Sequence, residues 1–306
     1  MSQLSPIVLF VYNRPLHTKK TIEALLKNDL CKDSNIFIFS DGAKNNLQKN
    51  KINEVRTYLK SITGFNSITI KESETNLGLA NSVINGITEV LQTNESAIVL
   101  EDDIITVPTF LNYINECINK YAENKNIFSV TGYNFPPSQI QIPAYYKLDV
   151  YIHPRAASWG WATWKDRWEK ADWEVKNFNL FLKNKALQLE YNKTGPDKSR
   201  MLIRQMKGEI DSWAIRWDYT HFLNKAYCIY PVRSFINNIG TDGSGRHFKK
   251  TNKYFNDITT YPIHWKLPSY LEPDEVIIKK INSIFKGGGK KFKIKTFFEN
   301  LYSLLK

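Results

Sequence analysis

Cysteine is scarce, with three residues in 306, Cys31, Cys117 and Cys228. They lie far apart without the paired spacing of a zinc site, and an odd count argues against a disulfide framework. Reduced thiols in a cytoplasmic setting are the expectation. Two glycine signatures are missing as well: the chain holds no G-x-x-x-x-G-K-[ST] phosphate loop and no G-x-G-x-x-G turn, so neither common nucleotide motif is present. Long apolar runs are also lacking. Ile7–Tyr12 is too short for a signal-peptide core, and no segment approaches a membrane span. Acids are almost absent from residues 279–306, where eight lysines face Glu299 alone. That stretch supplies +7 of a formal net charge of +12, so the body is only mildly basic. Charge confined to one end does not build a nucleic-acid groove, and no nucleic-acid partner is expected.

What is present belongs to a folded globular chain: 42% hydrophobic and 13% aromatic residues. Strand and helix signals alternate over the first 135 residues. Pro6–Tyr12, Asn35–Ser40, Ser67–Lys71, Ala97–Leu100 and Phe128–Tyr133 read as strands. Helices are predicted near Thr18–Lys27, over Lys51–Ser61, along the stripe Leu79, Val83, Ile87 and Leu91, and from Pro108 to about Tyr121. This alternation predicts an α/β fold with a mostly parallel, Rossmann-like sheet flanked by helices. After residue 140 the pattern becomes irregular, and all eight tryptophans fall between Trp159 and Trp265. The spacing of Trp161, Trp164 and Trp168 predicts one helical face, either packed on the sheet or lining a groove for an acceptor. The expected organisation is therefore residues 1–135, an aromatic-rich 136–278 and a basic tail over 279–306.

The sharpest feature is Ala97-Ile98-Val99-Leu100 running directly into Glu101-Asp102-Asp103. A short apolar run predicts a buried strand of a parallel sheet, and its carboxyl end is where open α/β sheets place ligands. Three adjacent carboxylates repel one another unless solvated or neutralised by a cation. Their hard oxygens suit Mg²⁺ or Mn²⁺ carrying a phosphate-bearing substrate.

Glu101-Asp102-Asp103, within V-L-E-D-D-I-x-x-x-P-x-F, resembles the acidic motif of GT-A-fold nucleotide-sugar glycosyltransferases. The resemblance is to family-2-like bacterial sugar transferases and the N-acetylglucosaminyltransferase I group. Val8–Arg14, Phe39-Ser40-Asp41-Gly42, Glu74–Ala80, Val130–Asn134, Ser158-Trp159-Gly160-Trp161, Asp211-Ser212-Trp213 and Ile229-Tyr230-Pro231 follow in the expected order. The match covers roughly residues 5–250; residues 138–150 and 175–208 have no clear counterpart.

The resemblance implies a metal-dependent transfer of sugar from a nucleotide-sugar donor, UDP-linked by expectation, to a glycan or lipid-linked acceptor. It assigns Asp103 to the metal, Asp102 to the ribose or metal-bound water, and Glu101 to the donor sugar or to a place behind the metal's own ligands. Asp41 would accept from the base, with a strand-end Asp-Gly turn as the plain alternative; Arg14 would lie near the base or phosphates, and Asn76 and Asn134 would belong to the donor site. Asp211 would be the base for an inverting displacement, with Asp218 and Glu209 as rivals and a helix N-terminal carboxylate as the plain alternative.

Gly240–His247, GTDGSGRH, reads as a polar loop able to close over a diphosphate, offering Arg246 to the phosphates and His247 to the metal. In the tail, Phe297, Phe298, Leu301 and Leu305 share a helical face behind Lys291, Lys293 and Lys295. That pattern suits peripheral contact with the inner face of a membrane, or packing on the body. Two other readings stand beside the transferase: a sugar-phosphate nucleotidyltransferase and a non-enzymatic basic binding protein. The first usually carries a glycine-rich basic loop after the first strand, where this chain has Asn13-Arg14-Pro15-Leu16.

Overall fold

The computed structural model describes residues 4–245 and 250–286. In chain order these form β1 (Ile7–Val11), α1 (Pro15–Leu25), β2 (Asn35–Ser40), α2 (Asn46–Leu59), β3 (Ser67–Glu72), α3 (Leu79–Thr93) and β4 (Ser96–Glu101). A short strand β5 (Ile104–Thr106), α4 (Phe110–Lys120), β6 (Ile127–Thr131), β7 (Val150–His153), β8 (Trp161–Trp164) and α5 (Lys165–Trp168) follow. The rest is α6 (Phe178–Lys183), α7 (Lys185–Asn192), α8 (Lys198–Met206), α9 (Trp213–Leu223), β9 (Tyr227–Pro231), β10 (Ile236–Asn238) and α10 (Glu275–Phe285).

Eight strands build one mixed sheet in the order β3-β2-β1-β4-β8-β6-β9-β7, and β5 pairs with β10 in a second, two-stranded sheet. The half from β3 to β4 is wholly parallel. Beyond it, β8 runs antiparallel to both β4 and β6, β9 is parallel to β6, and β7 closes the edge antiparallel. The fold is thus α/β around a large, mostly parallel sheet, as predicted.

Strand β1 is buried along its whole length, which explains its unbroken apolar composition. Ile7, Leu9 and Val11 face one core with Ile22 and Leu25 of α1, while Val8 and Phe10 face the other with Val83 and Ile87 of α3. Burying side chains of this size contributes about 1.5–3 kcal/mol each. Phe10 lies opposite both Phe39 and Glu101. That register brings the carboxyl ends of β1, β2 and β4 to the same edge.

One predicted element is different. Trp161 and Trp164 belong to β8, a strand, with only Trp168 on the short helix α5. Trp164 packs into the core with β1's Leu9, whereas Trp161 and Trp168 pack into the opposite one. All three are buried, so they do not line a groove. The spacing imitates a helical stripe because both faces of β8 are covered and no polar alternation marks it as a strand.

At the other end, α10 starts at Glu275 and buries Ile277 and Ile281 against the main core. The expected tail boundary at residue 279 therefore falls inside a docked helix. Residues 287–306, with Phe297, Phe298, Leu301 and Leu305, lie outside the described residues. Among those described, no helix is long and apolar enough to cross a membrane.

Candidate active site

The ligand-facing edge begins where β1 ends. Pro15 opens α1 at its first turn, and its ring fixes the helix start so that Arg14 becomes the N-cap residue. The Arg14 carbonyl accepts from the Thr18 backbone N–H and from Thr18 Oγ1 at 3.0 Å. Its guanidinium turns across the sheet edge to the turn between β4 and β5. There Nη2 meets Asp102 Oδ1 and, at 2.8 Å, Asp103 Oδ2. Both carboxylates are buried, Asp102 4% and Asp103 8% exposed. The turn itself is anchored through its backbone: Thr21 Oγ1 donates to the Asp102 carbonyl at 2.8 Å, and the Ile239 N–H donates to the Asp103 carbonyl at 2.9 Å.

Burial, and then the charges of Asp103 and Asp102, push the Glu101 carboxyl up to about 8, against Arg14 and the Trp213 indole. Asp102 is also pushed up by burial, although Arg14 pulls it back. Burial works against the Arg14 cation, yet its two acidic partners win and hold it above the usual arginine range. The acidic tip is therefore a partly neutralised cluster, with Arg14 supplying its positive charge.

The antiparallel pairing of β5 with β10 carries residues 239–245 over this cluster. A Cβ on Gly240 would fall 2.1 Å from Asp103 Oδ2, and one on Gly245 would lie 3.4 Å from Arg14 Nη1. Only glycine allows such an approach at residue 240. The segment is fastened to α1 by His17 Nε2 at 3.1 Å from Asp242. Residues 240–245 of that segment thus lie over the acidic pair. Arg246 and His247 fall outside the described residues.

Asp41, at the end of β2, is buried and engaged on both oxygens. Oδ1 accepts the backbone N–H groups of Gly42 and Leu77 at 2.8 Å, and Oδ2 accepts Asn76 Nδ2 at 2.9 Å and the Gly78 N–H at 3.1 Å. These four donors fill the carboxylate's capacity. Asp41 and Asn76 therefore hold the 76–78 turn together in this structure, and a base contact would require one of those bonds to be given up. Gly78 sits at φ +79°, a region that favours glycine, and a Cβ there would be 3.4 Å from Asp211 Oδ2. The turn clamped by Asp41 is thus packed against Asp211.

Asp211 directly precedes Ser212, the N-cap of α9, whose side chain accepts from the Ile215 N–H at 3.3 Å. The two rivals for its role are placed elsewhere. Asp218 is buried, paired to Lys198 Nζ at 2.5 Å, and accepts from the Ala156 N–H and from Tyr191 Oη, each at 2.9 Å. Glu209 is exposed and paired with Arg204 at 3.2 Å. Asn134 is also a structural joint: Nδ2 donates to the Val232 carbonyl, and Oδ1 accepts from Tyr151 Oη at 2.7 Å. Its expected donor-site role has no support in these contacts.

Solved structures similar to this chain include the following two. One is the mannosyltransferase PcManGT from Pyrobaculum calidifontis in complex with GDP-Man and Mn²⁺: 12% identity, TM-score 0.37, covering 55% of this chain and 47% of that one. The other is S. aureus TarS 1–349: 12% identity, TM-score 0.39, covering 74% and 60%. This chain therefore spans less than two thirds of either, and likeness this distant assigns no function. No protein-family model and no curated protein matches the chain.

Several contacts at the site gave no sequence signal, even where a residue belongs to a quoted motif. His17 and Asp242 meet across more than two hundred positions. The indole of Trp213, the residue after the α9 cap, lies against Glu101 and stacks on Trp161 at 5.2 Å. Arg56 of α2 ties the ends of β2 and β3 by donating to the Ser40 and Ser73 carbonyls at 3.2 and 2.7 Å.

Proposed function

We propose that this chain is a GT-A-type glycosyltransferase that moves a sugar from a nucleotide-sugar donor to a glycan or lipid-linked acceptor. The observation that supports this most is the acidic tip of β4: two buried aspartates face a fixed arginine beneath a glycine-bearing segment, at the edge where parallel sheets bind ligands. The ordered set of motifs in the sequence supports the same reading.

Asp102 and Asp103 offer hard oxygen donors of the kind Mg²⁺ and Mn²⁺ take. Among the described residues no group of three or more His, Cys, Asp or Glu is arranged to hold a metal. The aspartate pair fits a cation that keeps water and substrate phosphates as its other ligands. Such a cation would stabilise negative charge on the departing diphosphate. In this reading Asp103 faces the cation and Asp102 the ribose or cation-bound water. Arg14 serves the phosphates, and Glu101 faces the donor sugar. Asp211 takes the proton of the acceptor hydroxyl. Asp218 is unsuited to that task because a buried lysine and two further donors already hold it.

The test is calorimetric titration with UDP- and GDP-linked sugars, with and without Mn²⁺, on the parent and on Asp103→Ala and Asp211→Asn. One donor should bind with Mn²⁺ dependence that Asp103→Ala removes. Asp211→Asn should bind that donor normally but lose transfer by about a hundredfold or more. An Asp103→Ala variant that transfers sugar as fast as the parent would overturn the reading.

A further inference from the structure

Arg14 is more than a neighbour of the acidic pair. Its Nη2 bridges Asp102 and Asp103, its Nε lies 3.4 Å from Asp102 Oδ2, and only 18% of its side chain is exposed. Nη1 points up at the covering segment, 3.1 Å from where a Gly240 Cβ would stand. The oxygen of Asp103 that faces this space, Oδ2, is both bonded to the guanidinium and roofed by Gly240. A cation approaching it has to displace the arginine.

Charge decides when that exchange is favourable. Two carboxylates against one guanidinium leave a deficit of one positive charge. A bare dication over-corrects it and forces two cationic centres together in a buried space, where like charges are costly. A dication arriving with a diphosphate brings its own compensating anion. That anion is also an acceptor whose geometry matches the guanidinium fork. We propose that Arg14 is an exchangeable counter-ion, holding Asp102 and Asp103 until a divalent cation enters together with a nucleoside diphosphate, to whose phosphates the arginine then transfers. Free metal is therefore poorly bound and metal and nucleotide enter as one unit. This rests on the donor-site reading above.

The test is binding of Mn²⁺ to the full chain, followed by the paramagnetic resonance of free Mn²⁺, with Mn²⁺ alone and with Mn²⁺ plus UDP or GDP. In the parent, the nucleoside diphosphate should tighten Mn²⁺ binding by about tenfold or more. Arg14→Gln should bind Mn²⁺ alone about tenfold more tightly than the parent and lose most of the nucleotide effect. Arg14→Lys, which keeps the charge but lacks the fork, should fall between them. If the parent binds Mn²⁺ equally well with and without nucleotide, or if Arg14→Gln leaves the affinity for Mn²⁺ alone within twofold, the counter-ion role is wrong while the donor site stands. If neither nucleotide brings Mn²⁺ to the parent or to Arg14→Gln, the donor-site reading falls and takes this proposal with it. Should Arg14→Gln not fold, Arg14→Lys is read against the parent in its place, and an affinity for Mn²⁺ alone and a nucleotide effect both unchanged from the parent would overturn the counter-ion role.

Discussion

Replacing Lys198 with methionine tests the placement of the carboxylates around α9. Lys198 and Asp218 are 4% and 1% exposed at their side chains and meet at 2.5 Å. Burial, and then the Arg155 charge, push the lysine down to about 8, against the pull of Asp218 and Asp197. Methionine keeps most of the aliphatic stem but removes the charge, leaving Asp218 with two neutral donors, the Ala156 N–H and Tyr191 Oη. Removing one member of a buried pair costs about 3–5 kcal/mol. The two surviving hydrogen bonds place this case near the lower end, about 3 kcal/mol. With a urea m-value of about 3 kcal/mol/M, the unfolding midpoint at pH 7 should fall by about 1 M with m unchanged. In Lys198→Met/Asp218→Asn no unpaired charge remains, and more than half of the loss should return. Its sugar transfer, scaled to the folded fraction, should stay within about threefold of the parent. A single-variant cost below about 1 kcal/mol would mean that water reaches Asp218, and it would then return as a candidate base.

Asp41→Asn converts one fully used acceptor oxygen into a donor opposing backbone N–H groups, a local cost of about 1–3 kcal/mol. Because the clamped turn abuts Asp211, turnover should drop while nucleotide affinity, measured by calorimetry, holds within about threefold; the opposite split would put Asp41 on the base. Gly240→Ala drives a Cβ onto Asp103 Oδ2 and should lower the melting temperature by a few degrees, roughly 1–3 kcal/mol of overpacking, and weaken donor binding. An unchanged melting curve would show that the covering segment is free to lift. Glu101 has its carboxyl raised from 4.5 to about 8, so its stabilising contribution is complete below about pH 4.5 and lost as pH rises through 8. Relative to the unliganded parent, Glu101→Gln should therefore gain stability as pH rises from 5 to 8; parallel profiles for the two proteins would contradict it.

The parallel half of the fold was legible because its local signals agree with its burial. Asn35–Ser40 is predicted and observed as the same strand, and of the predicted stripe Val83, Ile87 and Leu91 are buried on α3 with Leu79 half-buried beside them. The acidic tip could be placed at a strand end because an apolar run cannot continue through three charges. What was hidden depends on distant pairing. β8 is covered on both faces, so its composition carries no period. The Arg155–Asp197 fork at 2.9 and 3.0 Å, the Lys198–Asp218 pair and the His17–Asp242 latch join residues whose meeting no spacing rule foretells. Asp41 shows a subtler limit. Its position was readable, but a carboxylate's partners are set by how the 76–78 turn folds back, and that is tertiary information.

The position of β8 also dictates an order of assembly. While a nascent chain has left the ribosome only as far as residue 135, β4 has β1 on one side and a bare ladder of amide and carbonyl groups on the other, since its second neighbour comes from residues 161–164. An exposed edge of that kind invites pairing with other chains. A fragment ending at 135 should therefore aggregate; one extended past Trp168 covers β4 but moves the bare ladder to the outer side of β6, which stays open until residues 227–231 arrive as β9.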